Sequence, residues 1–187
     1  MRCDKVERSI EKIRYRKKAD RGKSSAMKIK IISVGSLKEK YWLAAESEYL
    51  KRLSAYAKVE ICEIKEQPLA ANASTAQISK SVGEEGCELL KKNTGSAKVY
   101  RIALDSKGKD LSSEEFAELL STRAARGQSE IHFFIGGSNG LSGNVIDAAD
   151  QILSFGKKTF PHQLMRIILL EQVYRCFKIN ASEPYHK

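Results

Sequence analysis

No stretch of this 187-residue chain runs through 18 apolar residues, which excludes a membrane-spanning helix. The first residues also lack the apolar core of a secretory signal peptide. The four cysteines, Cys3, Cys62, Cys87 and Cys176, form no C-x-x-C, and no two of the three histidines stand at metal-ligand spacing. A zinc site therefore has no basis in the sequence. These absences describe a reduced, cytoplasmic protein with buried or idle thiols, no membrane association and no metal.

What is present is an ordinary globular composition, 42% hydrophobic and 30% charged, long enough to bury one core. The formal net charge is +10, but residues 1–26 carry ten Lys or Arg against four Asp or Glu. The globular part keeps only +4, enough to permit an RNA partner without demanding one. Residues 1–26, with the basic run Arg14-Tyr15-Arg16-Lys17-Lys18, are too charged and too poor in apolar residues to build a core. Met27, which opens the first strand, is read as the true start, and residues 1–26 as an upstream read-through. A basic arm that touches RNA is the functional alternative.

From Met27 onward strand and helix alternate. Strands are expected over residues 28–35, 58–65, 98–104, 130–135 and 151–155. The strand at 130–135 is apolar but for Glu130 and His132, as one covered on both faces should nearly be. Helices are expected over about 39–56, 75–92, 113–126, 142–150 and 160–179. Ser74 or Thr75 caps the second of these, and Ser112 or Ser113 with Glu115 forms a capping box for the third. Pro161 suits the first turn of the last helix, where Leu164, Ile168 and Phe177 read as the core stripe. The pattern is that of a mostly parallel, doubly wound α/β sheet with helices on both faces, in one domain over 27–187.

In such sheets ligands bind beyond the carboxyl ends of the strands, and two strand-to-helix loops stand out. The first holds Gly136, Gly137, Gly140 and Gly143, four glycines in eight residues. It is no dinucleotide fingerprint, because Ser138 stands where the second glycine is required. Close approach of backbone to a ligand is the better reading. The second loop, Phe155 to Phe160, sets Lys157 and Lys158 between aromatics ahead of a helix N-terminus, whose free N–H groups suit acceptor atoms. His162 and Arg166, four apart, share a face near that loop, and Glu171 and Arg175 are spaced to pair. The tail Tyr185-His186-Lys187 offers a ring for stacking and two basic groups for phosphate.

The stretches Ile135-Gly136-Gly137-Ser138-Asn139-Gly140-Leu141, Leu153-Ser154-Phe155, Thr159-Phe160-Pro161-His162-Gln163, Glu171-Gln172-Val173-Tyr174-Arg175 and Pro184-Tyr185-His186-Lys187 resemble the RlmH family. These are SPOUT-class methyltransferases of the large-subunit ribosomal RNA. The resemblance runs from Met27 to Lys187 and includes Lys40-Tyr41-Trp42. It implies a C-terminal trefoil knot over about residues 131–187, a homodimer, and S-adenosylmethionine held in the knot. By motif, the cofactor would touch Leu104, Gly136, Phe155, Gly156, Lys157, Lys158, Thr159 and Phe160. The implied reaction is methylation of N3 of the pseudouridine at position 1915, in the helix-69 loop of 23S ribosomal RNA within the ribosome.

Since N3 is a weak nucleophile until its proton leaves, a base or a nearby positive charge is needed. His162, Arg166, Arg175 and His186 are the candidates, with Tyr185 stacking on or bonding to the base. The choice among them stays open. Gly156 and Lys158 stand where the family more often has serine and methionine. Other readings are a SPOUT methyltransferase for a different RNA and a non-catalytic RNA-binding module, the latter at odds with the intact glycine loop and tail.

Overall fold

The computed structural model describes residues 27–185. The expectations for residues 1–26, His186 and Lys187 lie outside the described residues. Among the described residues, five strands alternate with five helices: β1 Met27–Val34, α1 Lys40–Leu53, β2 Ala57–Ile64, α2 Thr75–Lys92, β3 Val99–Asp110, α3 Ser113–Ala125, β4 Glu130–Ile135, α4 Gly143–Asp147, β5 Gln151–Ser154 and α5 His162–Asn180. The strand order is β2-β1-β4-β3-β5, and every ladder is parallel.

Alternation along each strand sorts the core into two layers. Ile29, Ile31, Ile131 and Phe133 face α1, α3 and α5, together with Phe116, Leu120 and Leu170. Ile32, Val34 and Phe134 face α2 and α4, with Leu89 and Val145. β1 and β4 are inner strands packed on both faces, which explains their nearly unbroken apolar runs. The expected doubly wound α/β sheet is what the chain forms.

Local signals placed most ends correctly. Ser74 accepts from the N–H of Gln77 while the Gln77 side chain returns to the N–H of Ser74, and Ser112 and Glu115 do the same for α3. Four expectations shift. α1 stops at Leu53, and α4 is only five residues long. β3 runs on to Asp110: its ladder with β5 breaks after Leu104 and resumes with Lys109 opposite Leu153, so residues 105–108 leave the ladder. On α5 the buried stripe is Ile167, Leu170, Val173 and Cys176, whereas Leu164, Ile168 and Phe177 are only partly covered. Polar and apolar residues are spread around that helix, so its periodicity could not choose a face.

No helix among the described residues is long and apolar enough to cross a membrane. The three described cysteines are free, with Cys176 buried and its thiol pushed up by that burial. Among the same residues no group of three or more His, Cys, Asp or Glu could hold a metal ion.

His132 of β4 is fully buried, its Nδ1 2.7 Å from Asn93 Oδ1 and its Nε2 3.3 Å from Glu130 Oε1. Burial holds its imidazole below the ordinary histidine value, against the pull of Glu130. The unfolded chain, with a histidine pKa of about 6.5, then binds the proton more readily than the folded one. This group's contribution is complete above about pH 6.5 and is lost progressively as pH falls from there through the folded value. Urea midpoints should therefore drop on acidification below about pH 6.5, and His132→Gln should flatten that part of the profile. An unchanged profile in the variant would assign the drop to other groups.

Candidate active site

The carboxyl ends of β3, β4 and β5 converge on one concavity. β4 leaves the sheet at Gly136, and Gly137 and Gly140 pair across a tight turn, with the Gly140 N–H donating to Gly137 O at 3.1 Å. A Cβ on Gly136 would stand 2.5 Å from the carbonyl carbon and oxygen of Gly140, so only glycine fits there. β5 ends on Ser154, whose Oγ accepts the Gly156 N–H at 3.1 Å and shapes the next turn. Gly156 itself has φ +98°, a conformation strained for serine, so its departure from the family pattern bears on the backbone.

Between these loops lies a cavity of about 210 Å³. Its floor is apolar, from Leu104, Ile135, Leu153, Phe155 and Met165, and its rim is largely loop backbone. Of the eight residues expected to touch a cofactor, Leu104, Gly136, Phe155, Gly156, Lys158, Thr159 and Phe160 line it; Lys157 does not. An apolar floor with peptide groups at the rim, and a glycine cradle that one Cβ would fill, suits a nucleoside-bearing cofactor such as S-adenosylmethionine.

A second, larger cleft of about 750 Å³ opens over the ends of β1 and β2, and Ser138 and His162 border both spaces. Sequence reasoning missed it. Its walls, including Lys38, Glu66 and Glu85, come from loops and a helix with no glycine cluster or aromatic run to mark them.

The polar candidates on α5 separate. His162 opens the helix at the junction of the two spaces, its ring packed against Gly35. Arg166 does not reach either cavity. It is 1% exposed, and its guanidinium donates to Glu63 at 2.5 Å, Glu46 at 3.3 Å, Ser33 Oγ at 2.7 Å and Gly35 O at 2.9 Å. That set of partners makes it a clamp between α5, β1, β2 and α1. Arg175 pairs with Glu171, as its spacing foretold, at 2.6 Å, and lies 5.0 Å from the centre of the Tyr185 ring. The Tyr185 hydroxyl donates to Glu171 Oε1 at 3.2 Å, and its phenol is pushed up by burial first and by Glu171 second. Thirteen residues separate His162 from Arg175, a rise of about 20 Å along the helix, so one chain does not bring them together.

The family model described as "Predicted SPOUT methyltransferase" matches residues 27–186. The chain belongs to the SPOUT methyltransferase family. It is similar to the "Ribosomal RNA large subunit methyltransferase H" of Carboxydothermus hydrogenoformans, with 53% identity over 161 residues, 86% of this chain and 100% of the relative. The protein of the same name from Bacillus cereus is 52% identical over the same extent. At these identities the chain also belongs to the RlmH family within the SPOUT class. A solved "Probable Methyltransferase" from Bordetella pertussis Tohama I covers 82% of this chain and 95% of its own at 12% identity, with a TM-score of 0.49, a likeness too loose to argue from.

Proposed function

We propose that residues 27–187 act as one SPOUT methyltransferase domain that methylates N3 of the helix-69 pseudouridine of 23S ribosomal RNA, in the cytoplasm, with S-adenosylmethionine as donor. The observation that carries this reading is the cavity: seven of the eight residues assigned to the cofactor by family resemblance line one concavity. The relatives' printed name, spanning their whole length, supplies the substrate class.

When bound, S-adenosylmethionine supplies a methyl group on a positively charged sulfur, open to attack by a nitrogen lone pair. The chain's own residues then do three things. Leu104, Leu153 and Phe155 exclude water from the donor, and the loop backbone around Gly136 and Thr159 fixes its orientation. His162, which with Ser138 borders both spaces, carries the imidazole positioned to hold or take the N3 proton. Lys157 and Lys158, exposed at the rim, and Lys107 and Lys109 on the neighbouring β3 segment offer charge to the RNA backbone.

Arg175 and Tyr185 enter through a second copy. α5 has its buried stripe on the sheet and a half-covered stripe of Leu164, Ile168, Arg175 and Ile179, which a partner helix would cover. Antiparallel packing of two such helices, each about 28 Å long, would turn the end of α5 that carries Arg175, with Tyr185 on it, toward the His162 end of the other copy. The proposed knot is supported by the path of the chain: from β5 at the sheet edge, residues 155–161 return past the ends of β3 and β4 to α5.

Methyl transfer from labelled S-adenosylmethionine to ribosomes lacking the modification tests this reading, with pseudouridine or uridine at the target. Label confined to the pseudouridine ribosomes is expected. Cofactor binding without transfer to either would overturn the substrate.

A further inference from the structure

The cleft over β1 and β2 exceeds the cofactor cavity, about 750 against about 210 Å³, and the two meet along Ser138 and His162. Given the proposed methylation, on which this inference rests, a nucleoside must approach the methyl donor from adjoining space. The larger cleft is that space, and it has the size of a nucleotide site.

One group in its wall is unusual. Glu85, from α2, is 5% exposed. Its Oε1 accepts the backbone N–H of Gln67 at 2.8 Å. Its Oε2 lies 3.4 Å from the point where a Cβ on Gly137 would stand, beside the glycine loop. Among the described residues that second oxygen takes no hydrogen bond and no lysine or arginine pairs with it. That oxygen is not among the fully buried polar atoms that lack a partner, so it is open to the cleft that Glu85 lines. Burial, reinforced by nearby Glu66, pushes this carboxyl up, while the Gln67 N–H opposes. A largely buried carboxylate with one oxygen held by backbone and the other open to the cleft offers an acceptor that a ligand donor would meet.

We infer that the acceptor nucleoside occupies this cleft and that the free oxygen of Glu85 accepts the N1–H of pseudouridine. Pseudouridine carries two imino groups, N1–H and N3–H, on either side of its C2 carbonyl. Uridine keeps only N3–H, because its N1 forms the glycosidic bond. An acceptor fixed beside Gly137 reads the one donor that separates the two nucleosides and leaves N3 free to face the junction at Ser138 and His162. Glu85 is thus a specificity-determining residue and takes no part in removing the N3 proton.

The test varies enzyme and substrate together. In Glu85→Gln the amide oxygen is held by the Gln67 N–H, so the NH₂ faces the cleft and meets N1–H donor to donor. The readout is kcat/KM for transfer to ribosomes reconstituted with pseudouridine, uridine or N1-methylpseudouridine at the target. Cofactor Kd and thermal unfolding are followed alongside. The wild-type enzyme should prefer pseudouridine over N1-methylpseudouridine by about ten- to a hundred-fold, the worth of one hydrogen bond to a charged group. In Glu85→Gln the preference should shrink to about threefold or less through slower transfer to pseudouridine, with cofactor Kd unchanged. A preference equal to the wild type's overturns the role of Glu85 and leaves the reaction standing. Absence of wild-type transfer to pseudouridine ribosomes overturns the reaction itself. Should the variant unfold, the wild-type comparison still decides, since equal rates on pseudouridine and its N1-methyl form overturn the inference.

Discussion

Gly136→Ala is expected to abolish cofactor binding while leaving the sheet folded. The added methyl would lie 2.5 Å from the Gly140 carbonyl carbon and oxygen and 2.9 Å from the Leu141 nitrogen. All three are backbone atoms, so no side-chain rotation relieves the clash, and the loop must move by about an ångström to reach ordinary contact distance. It cannot move alone, because the Gly140 N–H is held by Gly137 O and Gly137 packs against Val34 in the core. The displacement is therefore directed outward, into the cavity that Gly136 lines. Misplacing a binding group by about 1 Å costs on the order of a hundredfold. A rise of at least that size in the S-adenosylmethionine Kd by calorimetry is expected, with little change in far-ultraviolet circular dichroism. Gly143→Ala is the control: a Cβ there meets nothing within 4 Å, and binding should stay near wild type. Binding by Gly136→Ala within about threefold of wild type would remove the glycine loop from the cofactor site.

Arg166→Met carries the second large effect, on stability. The arginine is 1% exposed and joins four elements through Ser33, Gly35, Glu46 and Glu63. Removing one partner of a buried ion pair typically costs about 3–5 kcal/mol, because the remaining charge is left uncompensated. The lower end applies here. Glu63 is 40% exposed and can rehydrate, whereas Glu46, at 15%, is less free to do so. Arg166 Nε has no partner even in the native fold, a further reason not to expect the full amount. Urea unfolding should show a loss of about 3 kcal/mol, and Arg166→Lys should recover only part of it, since an ammonium cannot reproduce the forked contacts. A loss below about 1 kcal/mol would show that the cluster does not hold α5. Cofactor affinity should fall as well, because the clamp lies one turn beyond His162 and fixes the start of α5 against Gly35.

Arg166 also marks where reading the chain by its local pattern stopped working. Its four-residue spacing from His162 placed both on one face near a ligand loop, and the helix geometry agrees with that spacing. What the spacing could not contain was that Ser33 and Glu63, 133 and 103 residues earlier, would close around the guanidinium. The cleft holding Glu85 was hidden for the same reason, since its walls come from the loop after β1, the end of β2 and the loop after it, α2, the glycine loop and α5. The expected helix over 160–179 already set its two ends far apart; what only the structure gave is the tail turned back onto that helix, with Tyr185 on Glu171.

By itself the sequence determined the alternation of strands and helices, the capped starts of α2 and α3, the two loops that border the smaller cavity and the family. Each of these is written in residues close together in the chain: a period of two or of 3.6, a cap three residues from its partner, a glycine where backbone passes backbone. The tertiary structure alone decided the strand order β2-β1-β4-β3-β5, the face that α5 buries, the role of Arg166 and the second cleft. Those depend on which distant segments become neighbours. That choice is set by packing of the whole core, where many weak contacts are summed and no local pattern carries the answer.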